Sequence, residues 1–131
     1  MRNNILSIGT GSIAKRHVEN IFKIDKNNKV DVLSKNFQRS NIFCKKFKQF
    51  KIRPIKYFDV DNKNYSHIVI ASNTLSHNKY IKFFAKKKKN IYCEKPLPPD
   101  EHFDFLKSFS KIKKNNEKIK IGFQFRFNPA I

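Results

Sequence analysis

Apolar residues follow two alternating patterns along this chain. Short runs read as strands: Ile5, Leu6 and Ile8; residues 30–33; residues 67–71, with an apolar stretch buried on both sides; and residues 91–93. Between them, apolar residues return every three or four positions. Ala14, Val18, Ile21 and Phe22 predict a helix over 12–24, and Ile42, Phe43, Phe47 and Phe50 a second over 38–50. A third has His77, Tyr80, Ile81, Phe84 and Ala85 inward, Ser76 as its cap and Asn90 as its C-cap. Its four lysines at 86–89 complement the helix dipole. A fourth opens at Asp100, with Phe103, Leu106, Phe109 and Ile112 inward. Residues 25–28, 59–66 and 113–118 are polar or basic turns. A strand within 52–58 is short or lies at an edge because of Pro54. Ile119, Ile121, Phe123, Phe125 and Phe127 alternate with polar residues, a strand by its period of two. No segment repeats another. The strand–helix rhythm predicts an α/β fold: one domain over 1–131, with a doubly wound, mostly parallel sheet and right-handed crossovers.

The first strand runs into Gly9-x-Gly11-x-x-Ala14, and the first helix follows at once. Strand, glycine turn and helix are the setting in which a dinucleotide fingerprint carries meaning. Gly9 makes the tight turn, Gly11 lets a pyrophosphate approach the backbone, and Ala14 lets the helix sit close to the strand. Thr10, Ser12 and Ile13 complete the loop whose N–H groups face the phosphates at the helix N-terminus. In such folds an acidic residue at the tip of the second strand binds the adenosine ribose. Here the tip reads Ser34, Lys35, Asn36, with Arg39 close behind and no carboxylate. That leans to NADP over NAD, against the alternative that Lys35 and Arg39 are solvated surface charges. Ser72, Asn73 and Thr74 follow the fourth strand, where a ligand meets a parallel sheet.

The net charge of +19 raises the question of nucleic acid or membrane partners. Lys, Asn, Ile and Phe are abundant and Arg is scarce beside Lys. A reader of phosphates and bases leans on Arg, and no basic motif interleaved with aromatics is present. The charge therefore reads as compositional bias, with no specific nucleic acid partner and only salt-sensitive polyanion binding. The apolar runs are too short to span a membrane, and no secretory signal is visible. Cys44 and Cys93 stand far apart and outside any CxxC, so they read as reduced thiols of a cytoplasmic protein, with no metal site.

Four motifs stand in order: Gly-Thr-Gly-Ser-Ile-Ala-Lys-Arg-His over 9–17, Ala-Ser-Asn-Thr-Leu-Ser-His over 71–77, Cys-Glu-Lys-Pro-Leu over 93–97, and Gly-Phe-Gln-Phe-Arg-Phe-Asn-Pro over 122–129. Together they closely resemble the N-terminal, Rossmann-type NAD(P)-binding domain of the Gfo/Idh/MocA oxidoreductases, the family of glucose–fructose oxidoreductase and inositol dehydrogenase. The resemblance implies hydride transfer between NADP or NAD and a sugar, cyclitol or related polyol-like substrate. It implies that Lys95 stands beside the nicotinamide and the reacting carbon, steadying negative charge on the substrate oxygen. Glu94 fixes its neighbours, and Pro96, which follows a cis peptide in this family, orients Lys95. Ser72, Asn73, Thr74 and His77 line the cofactor, and Arg126 matches a position near the cleft. Family members continue into a second α/β domain that supplies substrate contacts, a proton-transfer partner and the oligomer interface. This sequence reads as lacking it: a truncated gene, a fragment or one half of a split enzyme, whose uncovered last strand invites self-association. The alternative is a non-catalytic nucleotide-binding module or a degenerate gene product.

Overall fold

The computed structural model describes residues 3–85, 90–94 and 119–122. Within them the chain forms β1 (Asn4–Ile8), α1 (Ser12–Ile24), β2 (Lys29–Leu33), α2 (Phe37–Lys45), β3 (Lys51–Pro54), a 3-10 helix (Tyr57–Asn62), β4 (His67–Ile70), α3 (Thr74–Ala85), β5 (Asn90–Glu94) and β6 (Ile119–Gly122). The six strands make one sheet in the order β3-β2-β1-β4-β5-β6, and every pairing is parallel. This is the Rossmann strand order, with the direction of winding reversing between β1 and β4.

Period-two alternation separates two cores. Leu6, Ile8, Ile68, Ile70 and Ile91 face one way and are covered by Tyr80, Ile81 and Phe84 of α3. Ile5, Val30 and Val32 face the other way, under Ala14, Val18 and Phe22 of α1 and Phe43 of α2. Register then fixes where the site must be. Ile8 pairs with Leu33 on one side and with Ile70 on the other. The three central strands therefore end flush, and the loops after β1, β2 and β4 open along the same rim.

Several expected boundaries move, each for a local reason. α2 stops at Lys45, and residues 46–50 continue as turns closed by Lys46 N–H to Phe43 O, Phe47 N–H to Cys44 O and Phe50 N–H to Phe47 O. Bonds three residues apart keep Phe47 and Phe50 inward, so the apolar spacing outlasts the helix. Phe50 stacks on Phe22 with ring centroids 4.3 Å apart. β3 is an edge strand, as Pro54 implies, and 57–62 is a 3-10 helix instead of more strand. In β4 only Ile68 and Ile70 are fully buried; Val69 is half-buried and His67 exposed. Asn73, not Ser76, caps α3: its Oδ1 accepts from the Ser76 N–H at 3.1 Å. Asn90 opens β5, where its Nδ2 donates to Ser66 O at 3.2 Å, so it is a strand residue and no C-cap. The predicted features at 86–89, 100–118 and 123–127 lie outside the described residues.

Candidate functional site

The two fingerprint glycines answer to different demands. Gly9 has a φ of +118°, and a Cβ there would collide with the Ala71 carbonyl at the exit of β4. Its N–H donates to Leu33 O at 2.9 Å, tying the exits of β1 and β2 together. Gly9 is thus demanded by the fold itself. Gly11 is not. It caps α1 from ordinary extended backbone (φ −84°, ψ −172°), and a Cβ there would meet nothing within 4 Å. No side chain caps the helix, and its first turn holds no acid. The first helical bond runs from Lys15 N–H to Gly11 O, so the N–H groups of residues 12–14 have no helical acceptor. Ala14 is fully buried beneath the same turn.

A crevice of about 1590 Å³ runs along the carboxyl ends of the strands. It passes from Ser34 and Lys35 after β2, over Gly9, Thr10, Gly11, Ser12 and Ile13, to Ser72 and Asn73 after β4 and Glu94 at the end of β5. Strands ~4.8 Å apart place β2 and β5 about 14 Å from each other, a span for an elongated ligand. At the β2 end, Ser34 Oγ donates to Asn36 O and bonds Ser40 Oγ at 2.8 Å, so its proton is committed. Lys35 and Arg39 are exposed and have no ion-pair partner among the described residues. Arg16, Lys46 and Lys79 extend this cationic wall, and Lys79 lies over the Tyr57 ring at 5.4 Å. Sequence reasoning overlooked these three cations and Tyr57, which only the fold brings to the rim. Ser72 and Asn73 brace the β4 loop: Ser72 Oγ meets Ser76 Oγ at 2.6 Å, and Asn73 caps α3. Thr74 and His77 lie in the first turns of α3, and their side chains are outside the described residues, as are Lys95, Pro96 and Arg126.

At the other end Glu94 is the crevice's single carboxylate among the described residues. Its Oε1 lies 2.6 Å from His17 Nε2 and accepts from the Tyr92 hydroxyl at 3.1 Å. The His17 and Tyr92 rings meet edge to face, 5.2 Å between centroids. His17 stands at the end of the first motif, yet nothing in its spacing announces a partner 77 residues away. Burial, then the Glu94 charge and hydrogen bond, push the Tyr92 hydroxyl up to about 12, so it remains a donor across the ordinary pH range. Burial pushes the Cys93 thiol up to about 12, with Glu94 adding to it. The Cys44 thiol is pushed to about 12 by burial and then Asp31. Both cysteines are free and buried.

A family model described as "Oxidoreductase family, NAD-binding Rossmann fold" matches residues 3–120. The chain belongs to the Gfo/Idh/MocA oxidoreductases. It is their NAD-binding Rossmann domain, a fold for a nicotinamide dinucleotide. An uncharacterized oxidoreductase of Bacillus subtilis, YrbE, is 34% identical over a match that covers 93% of this chain and 36% of that protein. Among solved structures, a myo-inositol dehydrogenase from Corynebacterium glutamicum superposes with a TM-score of 0.81 at 21% identity, over 99% of this chain and 38% of that one. One from Lactobacillus casei, in complex with NAD(H) and myo-inositol, gives 0.82 at 16% identity, over 98% and 39%. These superpositions establish the shared fold. The chain thus spans little more than a third of each relative's length. Among the described residues no helix is long and apolar enough to cross a membrane.

Proposed function

We propose that residues 1–131 are the dinucleotide-binding domain of an oxidoreductase that moves a hydride between NADP(H) and a sugar, cyclitol or related polyol-like substrate. The observation that carries this reading is the empty space beside Gly11. A glycine that the fold does not require, before an uncapped helix start, fits a diphosphate resting on that backbone. The names of the solved relatives, inositol dehydrogenases among them, support the substrate class.

The roles follow from the order of loops along the crevice. The backbone N–H groups of residues 11–13 hold the diphosphate, with Arg16 adding charge at the wall. Lys35 and Arg39 receive a 2′-phosphate, because they are exposed, unpaired among the described residues and without a neighbouring carboxylate in the wall. That end of the wall holds no carboxylate to accept from the bare 2′-hydroxyl of NAD(H). Asn73 and Ser72 hold the β4 loop against the cofactor, with Thr74, His77 and Pro96 completing its surroundings. When bound, the nicotinamide supplies or accepts the hydride. Lys95, next in sequence to Glu94, donates a hydrogen bond to the substrate oxygen and stabilises its negative charge; Arg126 serves the same cleft.

Side-by-side titration of the full chain with NADPH and NADH, followed by nicotinamide fluorescence, tests the reading. NADPH is expected to bind at least about tenfold tighter, one charge-assisted contact being sufficient for that ratio. Lys35→Ala with Arg39→Ala should erase the difference. Tighter binding of NADH overturns the NADP assignment, and binding of neither overturns the function.

A further inference from the structure

The distribution of partners on Glu94 carries a second conclusion, which rests on the dinucleotide reading above. Both donors that reach Glu94 converge on one oxygen, Oε1. Among the described residues nothing donates to Oε2. The side chain is 20% exposed and lines the crevice, so Oε2 stands where a ligand can reach it. A carboxylate accepts only, so each partner must bring its own proton. The Tyr92 hydroxyl does so, and His17 does so through Nε2–H. The ring is therefore the Nε2-protonated tautomer or the doubly protonated form. Its edge-to-face contact with Tyr92 holds its plane.

We propose that His17 is a positioning residue: by occupying Oε1 of Glu94 together with Tyr92, it presents Oε2 to a hydrogen-bond donor on the nicotinamide half of the cofactor. That donor is a hydroxyl of the nicotinamide-side ribose or the carboxamide N–H of the ring, and both offer the same chemistry to a carboxylate oxygen. Location supports this half of the ligand. Glu94 ends β5, two strands from β1, on the side opposite β2 with its cations. A diphosphate over Gly11 sends its adenosine toward β2 and its other nucleoside toward β5. His17 lies in the second turn of the helix whose start meets the diphosphate. One short helix thus couples the anchoring of the phosphates to the setting of the carboxylate.

The test compares three ligands on the full chain, all bearing the 2′-phosphate: 2′-phospho-ADP, 2′-phospho-ADP-ribose and NADPH. In His17→Ala, 2′-phospho-ADP should bind within twofold of the unaltered chain, and NADPH about tenfold more weakly. An equal loss for 2′-phospho-ADP-ribose assigns the donor to the ribose, and no loss there assigns it to the carboxamide. His17→Gln, which restores an N–H donor, should recover most of the affinity. Nitrogen-15 shifts of the ligand-free chain should show a protonated His17 Nε2, and Glu94→Gln should shift that signal. Equal weakening of all three ligands would show damage to the turn and overturn the proposal, as would undiminished NADPH binding. If the unaltered chain binds none of the three but binds NADH, the same comparison is read with ADP, ADP-ribose and NADH; if it binds neither these three nor NADH, the dinucleotide reading fails and this inference fails with it.

Discussion

Asp31 on β2 and Glu94 on β5 are both carboxylates held by a tyrosine hydroxyl and a nitrogen base, and they differ in what is left over. Asp31 Oδ1 accepts from Arg53 Nε at 2.7 Å, and its Oδ2 accepts from the Tyr65 hydroxyl at 2.7 Å and, weakly, from Arg53 Nη2 at 3.4 Å. Both oxygens are engaged and the side chain is 9% exposed. Glu94 is engaged at one oxygen and twice as exposed. The hollow beside Asp31 is likewise the smaller, about 400 Å³ against about 1590 Å³. A satisfied buried group is accounted for by the fold. A group held rigidly on one side and open on the other has chemistry to spare. The two fingerprint glycines divide in the same way: the fold uses Gly9 fully and leaves the space beside Gly11 open.

The largest effect expected from this division is at Gly9. Gly9→Ala must accept a φ of +118° and push the Ala71 carbonyl aside where two strands exit together. A loss of about 3 kcal/mol or more is expected from strain and clash combined, read as a lower urea midpoint. Asp31 comes next. Asp31→Ala leaves the buried Tyr65 hydroxyl without its acceptor and should cost about 2 kcal/mol. Arg53, 61% exposed, re-enters water, which keeps the cost below that of breaking a fully buried ion pair. Asp31→Asn keeps an acceptor for Tyr65 and should recover about half of the loss. Glu94→Gln should cost less than about 1 kcal/mol while impairing NADPH binding. If Glu94→Gln destabilises the chain as much as Asp31→Ala, the contrast between the two carboxylates is void.

What the sequence disclosed follows the same line. Period and punctuation placed strands and helices, because Ala14, Val18 and Phe22 or Ile68 and Ile70 are buried by the faces they mark. The glycine turn and the loops after β2 and β4 were legible as candidate binding positions because they sit at strand ends, which sequence locates directly. The His17–Glu94 contact was illegible, since it depends on strand order: β4 lies between β1 and β5, and only the folded sheet brings α1 to the end of β5. The caps of α3 were misread for a simpler reason. Asn73 and Ser76 are both good cap residues, and only the position of the first helical turn chooses between them.

Alkaline pH should expose a smaller, shared effect of burial. The Cys44 and Cys93 thiols rise from 9.0 to about 12, and the Tyr92 hydroxyl from 10.0 to about 12. In this window the unfolded chain has released protons that the folded chain still holds, so stability falls as pH rises. Their contribution is complete below pH 9 and is lost as pH climbs toward 12. Thermal melts should decline across that interval, and Cys93→Ala should make the decline shallower. In the folded chain at pH 8 neither thiol should react with iodoacetamide faster than the chain opens.

Gly11→Ala should have the least effect on stability and a large one on binding, and it is the sharpest test of the division between used and spare groups. The backbone at Gly11 is one that alanine adopts freely, and the added methyl meets nothing within 4 Å. Restricting the unfolded chain favours alanine by about 0.4–1 kcal/mol. Alanine is the poorer N-cap by a similar amount, so the two terms offset and the net change should stay within about 0.5 kcal/mol. The methyl would, however, stand in the crevice where the diphosphate must approach the turn. NADPH affinity should fall at least about tenfold, the loss expected when close backbone contacts with a charged ligand are pushed apart. Undisturbed folding with undisturbed binding would mean that no ligand rests on residue 11. Lost folding would mean that this glycine, like Gly9, belongs to the scaffold and says nothing about a ligand.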